Sequence, residues 1–202
     1  NKTGYRNLLN LTSKGYLDGY YYTPRVDKDL LREHSEGLIA TSACLSGQVT
    51  FHASRGDYDR AKEQAIEYDE IFGRGNYFLE LQRHFTLDGK ELEREAIARE
   101  VIRKVSKDTG IPLVATNDSH YVSAQHHEAH DALICIGRGK FVSDPQRMRY
   151  DTKDIYIKST EQMVELFKDI PESIENTLRI AERCQFELET GVNHMPEFAI
   201  PE

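Results

Sequence analysis

Short apolar runs alternate with longer amphipathic stretches along most of the chain. Apolar runs that end in turn residues predict buried strands at 37–43, 77–82, 112–117 and 155–158. Apolar residues at helical spacing predict helices over 3–17, 27–32, 57–72 and 89–107, with others starting near Ser46, Ser123, Ser159 and Pro171. Because strands and helices alternate, we expect an α/β fold with a mostly parallel sheet and right-handed crossovers.

Candidate chemical groups follow the ends of three predicted strands. Cys44 follows the first strand, His84 the second, and Asp118 and His120 the third. The carboxyl ends of parallel strands lie along one edge of a sheet, and α/β proteins place their sites at that edge. Zinc bonds to sulfur and nitrogen are about 2.0 to 2.3 Å long, so a shared metal requires the Cβ atoms of Cys44 and His120 to lie within about 12 Å. We expect them to do so.

The third strand leads into the sequence PLVATNDSHY, residues 112–121. In an extended chain, Asp118 and His120 would point the same way, about 6 to 7 Å apart. Such a carboxylate and imidazole suit metal ligation, or the roles of orienting group and general base. Ordinary turn chemistry explains these residues equally well. A third arrangement, with Cys44 as a thiol nucleophile, requires all three side chains to lie close together.

Composition limits the functional classes. The chain has 202 residues, of which 39% are hydrophobic, enough for one domain or a large piece of one. No apolar run reaches the roughly 18 residues of a membrane span, so no membrane partner is expected. The net charge of −8 argues against a general nucleic-acid-binding surface. Three widely spaced cysteines without a CxxC pattern favour a reducing cytoplasm over a disulfide framework.

One segment departs from this acidic average, and we call residues 138–153 the basic loop. Its charged residues are the basic Arg138, Lys140, Arg147, Arg149 and Lys153 and the acidic Asp144 and Asp151. Most such loops are simply solvated. Arg147 and Arg149 are nevertheless candidates for contact with phosphate.

Histidines and tyrosines form two further clusters. His126 and His130, four residues apart on a predicted helix, can ligate a metal, but in the absence of an HExxH arrangement we favour exposed or capping histidines. The consecutive tyrosines at 20–22 can stack on bases, but basic residues do not alternate with them. We therefore favour a half-buried loop wall for the tyrosines.

Several strings occur in an order that is typical of a known family. They are GLIATSACLSG at 37–47, YFLELQRH at 77–84, PLVATNDSHY at 112–121, DPQRMRY at 144–150, YIKSTEQM at 156–163 and PESIENTLRIAERC at 171–184. Together they resemble the polymerase-and-histidinol-phosphatase (PHP) domain of bacterial replicative DNA polymerase III alpha subunits. The resemblance covers nearly the whole chain.

This resemblance implies that residues 1–202 are a partial PHP domain that leads toward a polymerase domain. The implied fold is the C-terminal portion of a distorted seven-stranded β/α barrel, whose carboxyl face can hold divalent metals, zinc or manganese. Cys44, Asp118 and His120 match positions of the family's metal ligands. Glu80 and His84 lie at a neighbouring strand end, as candidates to support those ligands through hydrogen bonds.

Other ligands of the family, including an HxH motif, precede the region that this sequence resembles. Because the sequence opens at Asn1 directly in a helix-like stretch, we expect an excised fragment that binds metal weakly and does not hydrolyse DNA alone. For the parent protein, a DNA polymerase, the resemblance implies that the PHP domain is either a metal-dependent 3′–5′ proofreading exonuclease or a scaffold that docks an exonuclease subunit. DNA and the other replicase subunits are the implied partners.

Overall fold

The computed structural model describes residues 1–193 and residue 195. Helices and strands alternate, in the order α1 Lys2–Leu17, α2 Lys28–Glu33, β1 Ala40–Thr41, α3 Gln48–Ala53, α4 Tyr58–Phe72, β2 Tyr77–Leu81, α5 Glu93–Thr109, β3 Leu113–Ala115, a 3₁₀ turn Ala124–His126, α6 His127–Arg138, α7 Thr160–Leu166 and α8 Pro171–Arg183. This mixture of helices and parallel strands confirms the α/β class.

The strands form a three-stranded parallel sheet in the order β1-β2-β3. Thr41 pairs with Phe78, and Leu81 pairs with Ala115. Every residue of the central strand β2 is buried, as expected when both faces of a parallel sheet are covered. Leu79 is fully buried in the main core cluster, to which α3, α4 and α5 also contribute.

Two predicted strands differ from the structure. The first shrinks from 37–43 to Ala40–Thr41, and Gly37 has a φ of +76°. The fourth, at 155–158, is wrong: only a single parallel bridge forms there, between Tyr121 and Tyr156. The reason is that the Asn117 side chain donates hydrogen bonds to the Tyr156 carbonyl inside this segment and to the Asp154 carbonyl just before it, where a neighbouring strand would otherwise donate.

Capping residues set most helix starts where the sequence predicts them. The Asp27 and Asp57 side chains accept hydrogen bonds from the first turns of α2 and α4, and Pro171 occupies the first turn of α8. Helix α5 starts later than predicted, because residues 86–90 form a tight turn. Within the described ranges, no helix combines the length and apolar character needed to cross a membrane.

Candidate functional site

The candidate site begins where strands β1 and β3 end, and the backbone is strained at both places. Ala43, just before Cys44, has a φ of +59°, and Asp118 has a φ of +43°. Residues other than glycine rarely adopt this left-handed region, and such strain clusters at functional sites. Asp118 and His120 therefore leave the strand in a turn, so the expectation that both extend from a continuous strand is wrong.

This turn fixes the tautomer of the neutral His120 ring. Its Nδ1 lies 2.5 Å from the Asp118 carbonyl oxygen, which can only accept, so Nδ1 carries the proton and donates. The Tyr150 hydroxyl lies 3.1 Å from Nε2, which is then the acceptor. His120 thus has a lone pair on Nε2 that faces the Tyr150 hydroxyl, at an exposed position.

Three side chains outside the predicted set, those of Tyr121, His130 and Tyr150, complete a cluster of rings with His120. The ring centroids of His120, His130 and Tyr150 are 5.0 to 5.6 Å apart, and Tyr121 lies 5.2 Å from His130. We call these four residues the ring cluster. The sequence favours an exposed or capping role for His130 and carries no signal for Tyr150. The sequence instead pairs His130 with His126 as possible metal ligands, because their four-residue spacing is the only relation that the sequence shows.

Electrostatics link Cys44 to the same place. Burial raises the pKa of Tyr150, and the nearby Asp118 carboxylate and Cys44 thiol raise it further, while Arg138 opposes them. Burial and the neighbouring His120 lower the pKa of His130, which favours its neutral form.

Glu80 ties the three strand ends together. Its carboxylate accepts hydrogen bonds from the Thr41 hydroxyl at 2.6 Å, from the Gln82 amide at 3.0 Å and from the Thr116 hydroxyl. Thr41 belongs to β1, and Thr116 directly follows β3. Glu80 is 9% exposed, so these bonds satisfy a buried charge. They fix the start of the turn that carries Asp118.

His84 holds the next residue of that turn. This imidazole is 1% exposed, with Nδ1 2.8 Å from a Glu95 carboxylate oxygen and Nε2 3.0 Å from the Asn117 carbonyl. Both partners are acceptors, so both ring nitrogens donate and the ring is charged. Burial by itself lowers the pKa of His84, but the hydrogen bond and charge of Glu95 outweigh it and the pKa is raised.

The Asn117 side chain extends this network to the segment after the basic loop. Its amide nitrogen donates to the carbonyls of Asp154 at 2.7 Å and Tyr156 at 2.6 Å. Its amide oxygen accepts from the Lys158 ammonium at 2.9 Å. Both amide hydrogens of Asn117 are therefore used, and residues 154–158 are held against the site.

Comparison with known proteins identifies the family. The sequence profile named PHP domain matches residues 1–84. The DNA polymerase III subunit alpha of Borreliella burgdorferi is 44% identical over 202 residues, which is 100% of this chain and 17% of that protein. The same subunit of Treponema pallidum is 43% identical over 201 residues, 100% of this chain and 17% of the relative. That of Helicobacter pylori J99 is 42% identical over 199 residues, 94% of this chain and 16% of the relative.

The chain belongs to the DNA polymerase III alpha-subunit family. It spans 17% of the length of the Borreliella alpha subunit, and the PHP profile covers its first 84 residues. Cys44, Glu80 and His84 lie inside the PHP match, whereas Asp118, His120 and the rest of the ring cluster lie outside it. The alpha-subunit likeness extends over the whole chain and includes them.

This alpha-subunit segment contains side chains that are suitable metal ligands, but they do not complete a metal site. Thiolate, carboxylate and imidazole are ligands that zinc accepts, and Cys44 carries a free thiol. Within residues 1–193 and 195, however, no three His, Cys, Asp or Glu side chains are arranged to hold a metal ion. The residues present are therefore at most part of a donor set.

The basic loop is anchored to α6 in this alpha-subunit segment. Arg147 donates to both carboxylate oxygens of Asp131, one of them at 2.7 Å, and its side chain is 8% exposed. Its guanidinium is thus already committed, which leaves little of it for a phosphate. Arg149 is exposed, and it forms no ion pair in the part of the chain that the structure describes.

Proposed function

We propose that this chain lies within the PHP domain of a replicative DNA polymerase alpha subunit, in the cytoplasm. In this proposal residues 1–202 belong to the C-terminal portion of the seven-stranded β/α barrel and lead toward the polymerase domain. The parallel order β1-β2-β3 supports the proposal, because successive parallel strands joined by helices are the repeating unit of such barrels. Likeness to alpha subunits along the whole chain supports the assignment of the parent.

For the site, we infer a phosphoesterase that removes nucleotides from a DNA 3′ end, with Cys44, Asp118 and His120 as ligands of a divalent metal, zinc or manganese. The observation that supports this inference is the left-handed backbone just before Cys44 and at Asp118, whose carbonyl oxygen holds the His120 ring in place. A bound metal would supply an activated water and stabilise charge on phosphoryl oxygens. Upstream residues of the family would complete the donor set.

The chain's own residues prepare this site by positioning. The Asp118 carbonyl holds the proton of His120 on Nδ1, so that Nε2 presents a lone pair. Glu80 and His84 bind Thr116 and Asn117, the two residues that precede Asp118. Hydrogen bonds that fix a ligand's orientation typically change metal affinity or activity by about 10-fold to 100-fold.

The test measures nucleotide release from a 3′-labelled oligonucleotide in the presence of zinc or manganese. The proteins compared are this chain, a chain extended at residue 1 with the family's upstream motifs, and the extended chain with Asp118→Ala. We expect activity in the extended chain only, and its loss in the variant. The matched control is Asp59→Ala, at an exposed position in the first turn of α4. Equal activity of Asp118→Ala and the unsubstituted extended chain would refute the ligand assignment.

A second function, that of a scaffold, has independent support. The net charge of −8 disfavours direct contact with DNA. The buried ion pair between His84 and Glu95 stabilises the fold, as expected of a structural role. In this alternative the segment stabilises the polymerase and docks an exonuclease subunit. Co-purification of that subunit with the extended chain, together with absent nuclease activity, would favour the scaffold.

A further inference from the structure

One buried backbone carbonyl depends on the protonation of His84. Nε2 of the His84 ring donates to the Asn117 carbonyl oxygen at 3.0 Å. Asn117 is 8% exposed, and among the residues that the structure describes no other donor bonds to this carbonyl. A buried carbonyl without a donor is costly, so its orientation depends on the proton at Nε2.

That carbonyl belongs to the peptide group that joins Asn117 to Asp118. The orientation of a peptide group sets ψ of the residue before it and φ of the residue after it. Asp118 has a φ of +43°, in the left-handed region that residues other than glycine rarely adopt. The bond from His84 therefore holds the same peptide group whose orientation keeps Asp118 strained.

Loss of one proton from the His84 ring removes one of its two hydrogen bonds. Nδ1 lies 2.8 Å from a Glu95 carboxylate oxygen, whereas Nε2 faces the neutral carbonyl of Asn117. A hydrogen bond to a carboxylate is stronger than one to a neutral acceptor, so the remaining proton stays on Nδ1. Nε2 then presents a lone pair to the carbonyl oxygen, and the two acceptors repel each other.

We propose that the proton on Nε2 of His84 is a switch for the Asp118 turn, residues 116–120. With the proton present, the Asn117–Asp118 peptide group is held and Asp118 keeps its left-handed conformation. Without it, this peptide group rotates, its carbonyl turns toward water, and Asp118 relaxes to an ordinary negative φ. The Asp118 carbonyl accepts from Nδ1 of His120, so the movement reaches the His120 ring as well.

Burial and the surrounding charges set the pH at which the switch acts. Burial lowers the pKa of His84, the Glu95 carboxylate of α5 raises it, and the Lys158 ammonium, which bonds to the Asn117 side chain at 2.9 Å, lowers it. The Asp154 carboxylate also lies here and accepts from the backbone N–H of the residue after His84. The net effect raises the pKa of His84, so the turn is held at low pH and released as the pH rises through the raised value.

The switch connects to the proposed function at one point. If Asp118 is a metal ligand, it is presented in its left-handed conformation only while His84 is charged, and this consequence rests on the proposed function. The switch itself belongs to the metal-free chain, because His84, Glu95 and Asn117 are all in place without a metal. It can therefore be tested apart from that function.

The experiment is a pH titration of the metal-free chain, followed by NMR spectroscopy. The ring nitrogen signals of His84 report its charge. The nuclear Overhauser effect between the amide and α protons of Asp118 reports φ, because these protons lie closer together at positive φ than at negative φ. We expect this effect to weaken at the midpoint of the His84 titration, between about pH 6 and pH 10. The amide of Ile102, in the core of α5, should show no change at that midpoint.

Two substitutions should move the midpoint in opposite directions. Glu95→Gln removes the opposite charge and should lower the midpoint by about one to three pH units. Lys158→Met removes a positive charge at a half-buried position and should raise it, which still decides the question if Glu95→Gln does not fold. The matched control is Glu93→Gln, an exposed glutamate at the start of the same helix, which should leave the midpoint unchanged. In every variant the change at Asp118 should follow the His84 midpoint.

Three results would overturn the proposal. They are a His84 ring that does not titrate in this range, an Asp118 that stays left-handed on both sides of the midpoint, and a change at Asp118 that does not follow His84 in the variants. The titration contains no metal and measures no hydrolysis, so absent nuclease activity refutes the phosphoesterase and leaves the switch intact. A turn that stays fixed in a chain whose extended form is an active nuclease refutes the switch alone.

Discussion

Removal of the Asn117 side chain tests the network that holds the candidate site. In Asn117→Ala, the carbonyls of Asp154 and Tyr156 each lose one of their two side-chain donors, and the Lys158 ammonium loses an acceptor. The Asn117 backbone carbonyl remains, so its bond from His84 persists. The substitution thus weakens the attachment of segment 154–158 to the end of β3 and leaves the His84–Glu95 pair in place.

The magnitude follows from the three lost hydrogen bonds. Each of the two neutral bonds contributes about 1 kcal/mol, and the bond to the ammonium contributes about 1.5 kcal/mol because one partner is charged. The segment can partly rehydrate, since Lys158 is half-buried rather than enclosed. We expect the free energy of unfolding to fall by about 3 kcal/mol, a large effect for one residue.

Urea denaturation followed by circular dichroism measures this change. The matched control is Asn10→Ala, an exposed asparagine in α1, where alanine has the higher helix propensity. It should leave the stability unchanged or slightly higher. A loss below about 1 kcal/mol in Asn117→Ala would refute the view that Asn117 anchors the segment.

Three further predictions concern other parts of the structure. The pKa of His84 is raised in the folded protein, so the stabilisation it provides is complete below the unfolded pKa of about 6.5 and is lost as the pH rises through the higher folded value. Glu95→Gln should therefore flatten the pH dependence of the unfolding free energy. An unchanged slope would contradict this. Ala43→Gly should leave the free energy of unfolding unchanged or higher, because relief of about 1 kcal/mol of left-handed backbone strain offsets the greater conformational entropy that glycine has in the unfolded chain. The control Ala53→Gly in α3 should lower the free energy of unfolding by more than about 1 kcal/mol. Equal unfolding free energies of the two variants would contradict the strain at Ala43. Arg147→Met should speed amide hydrogen exchange in the basic loop, and exchange as slow as before would show that its ion pair does not anchor the loop.

The buried centre of the fold could be predicted from the sequence because it depends on local apolar runs. The segments 77–82 and 112–117 are such runs, and β2 and β3 form within them. The segment at 155–158 has a similar local pattern, but the side chain of Asn117 bonds to the Tyr156 carbonyl within it and to the Asp154 carbonyl just before it. Periodicity in a sequence does not reveal a competing partner that lies about 40 residues away in this chain.

The candidate site was predictable to the same limited extent. Asp118 and His120 follow a recognisable strand, so their place at its end could be predicted. Tyr150 and His130 reach His120 from a loop and a helix that the sequence does not orient. The left-handed backbone at Asp118 was also invisible, because aspartate is common in ordinary turns.

The position of a metal tests the central claim most directly. The measurement is anomalous scattering from zinc in crystals of the chain extended with the family's upstream motifs. We predict a zinc peak about 2.3 Å from the sulfur of Cys44 or about 2.0 to 2.1 Å from Nε2 of His120, with their Cβ atoms within about 12 Å of each other. A peak bound only by other residues, or a Cβ separation well beyond that limit, would contradict the account.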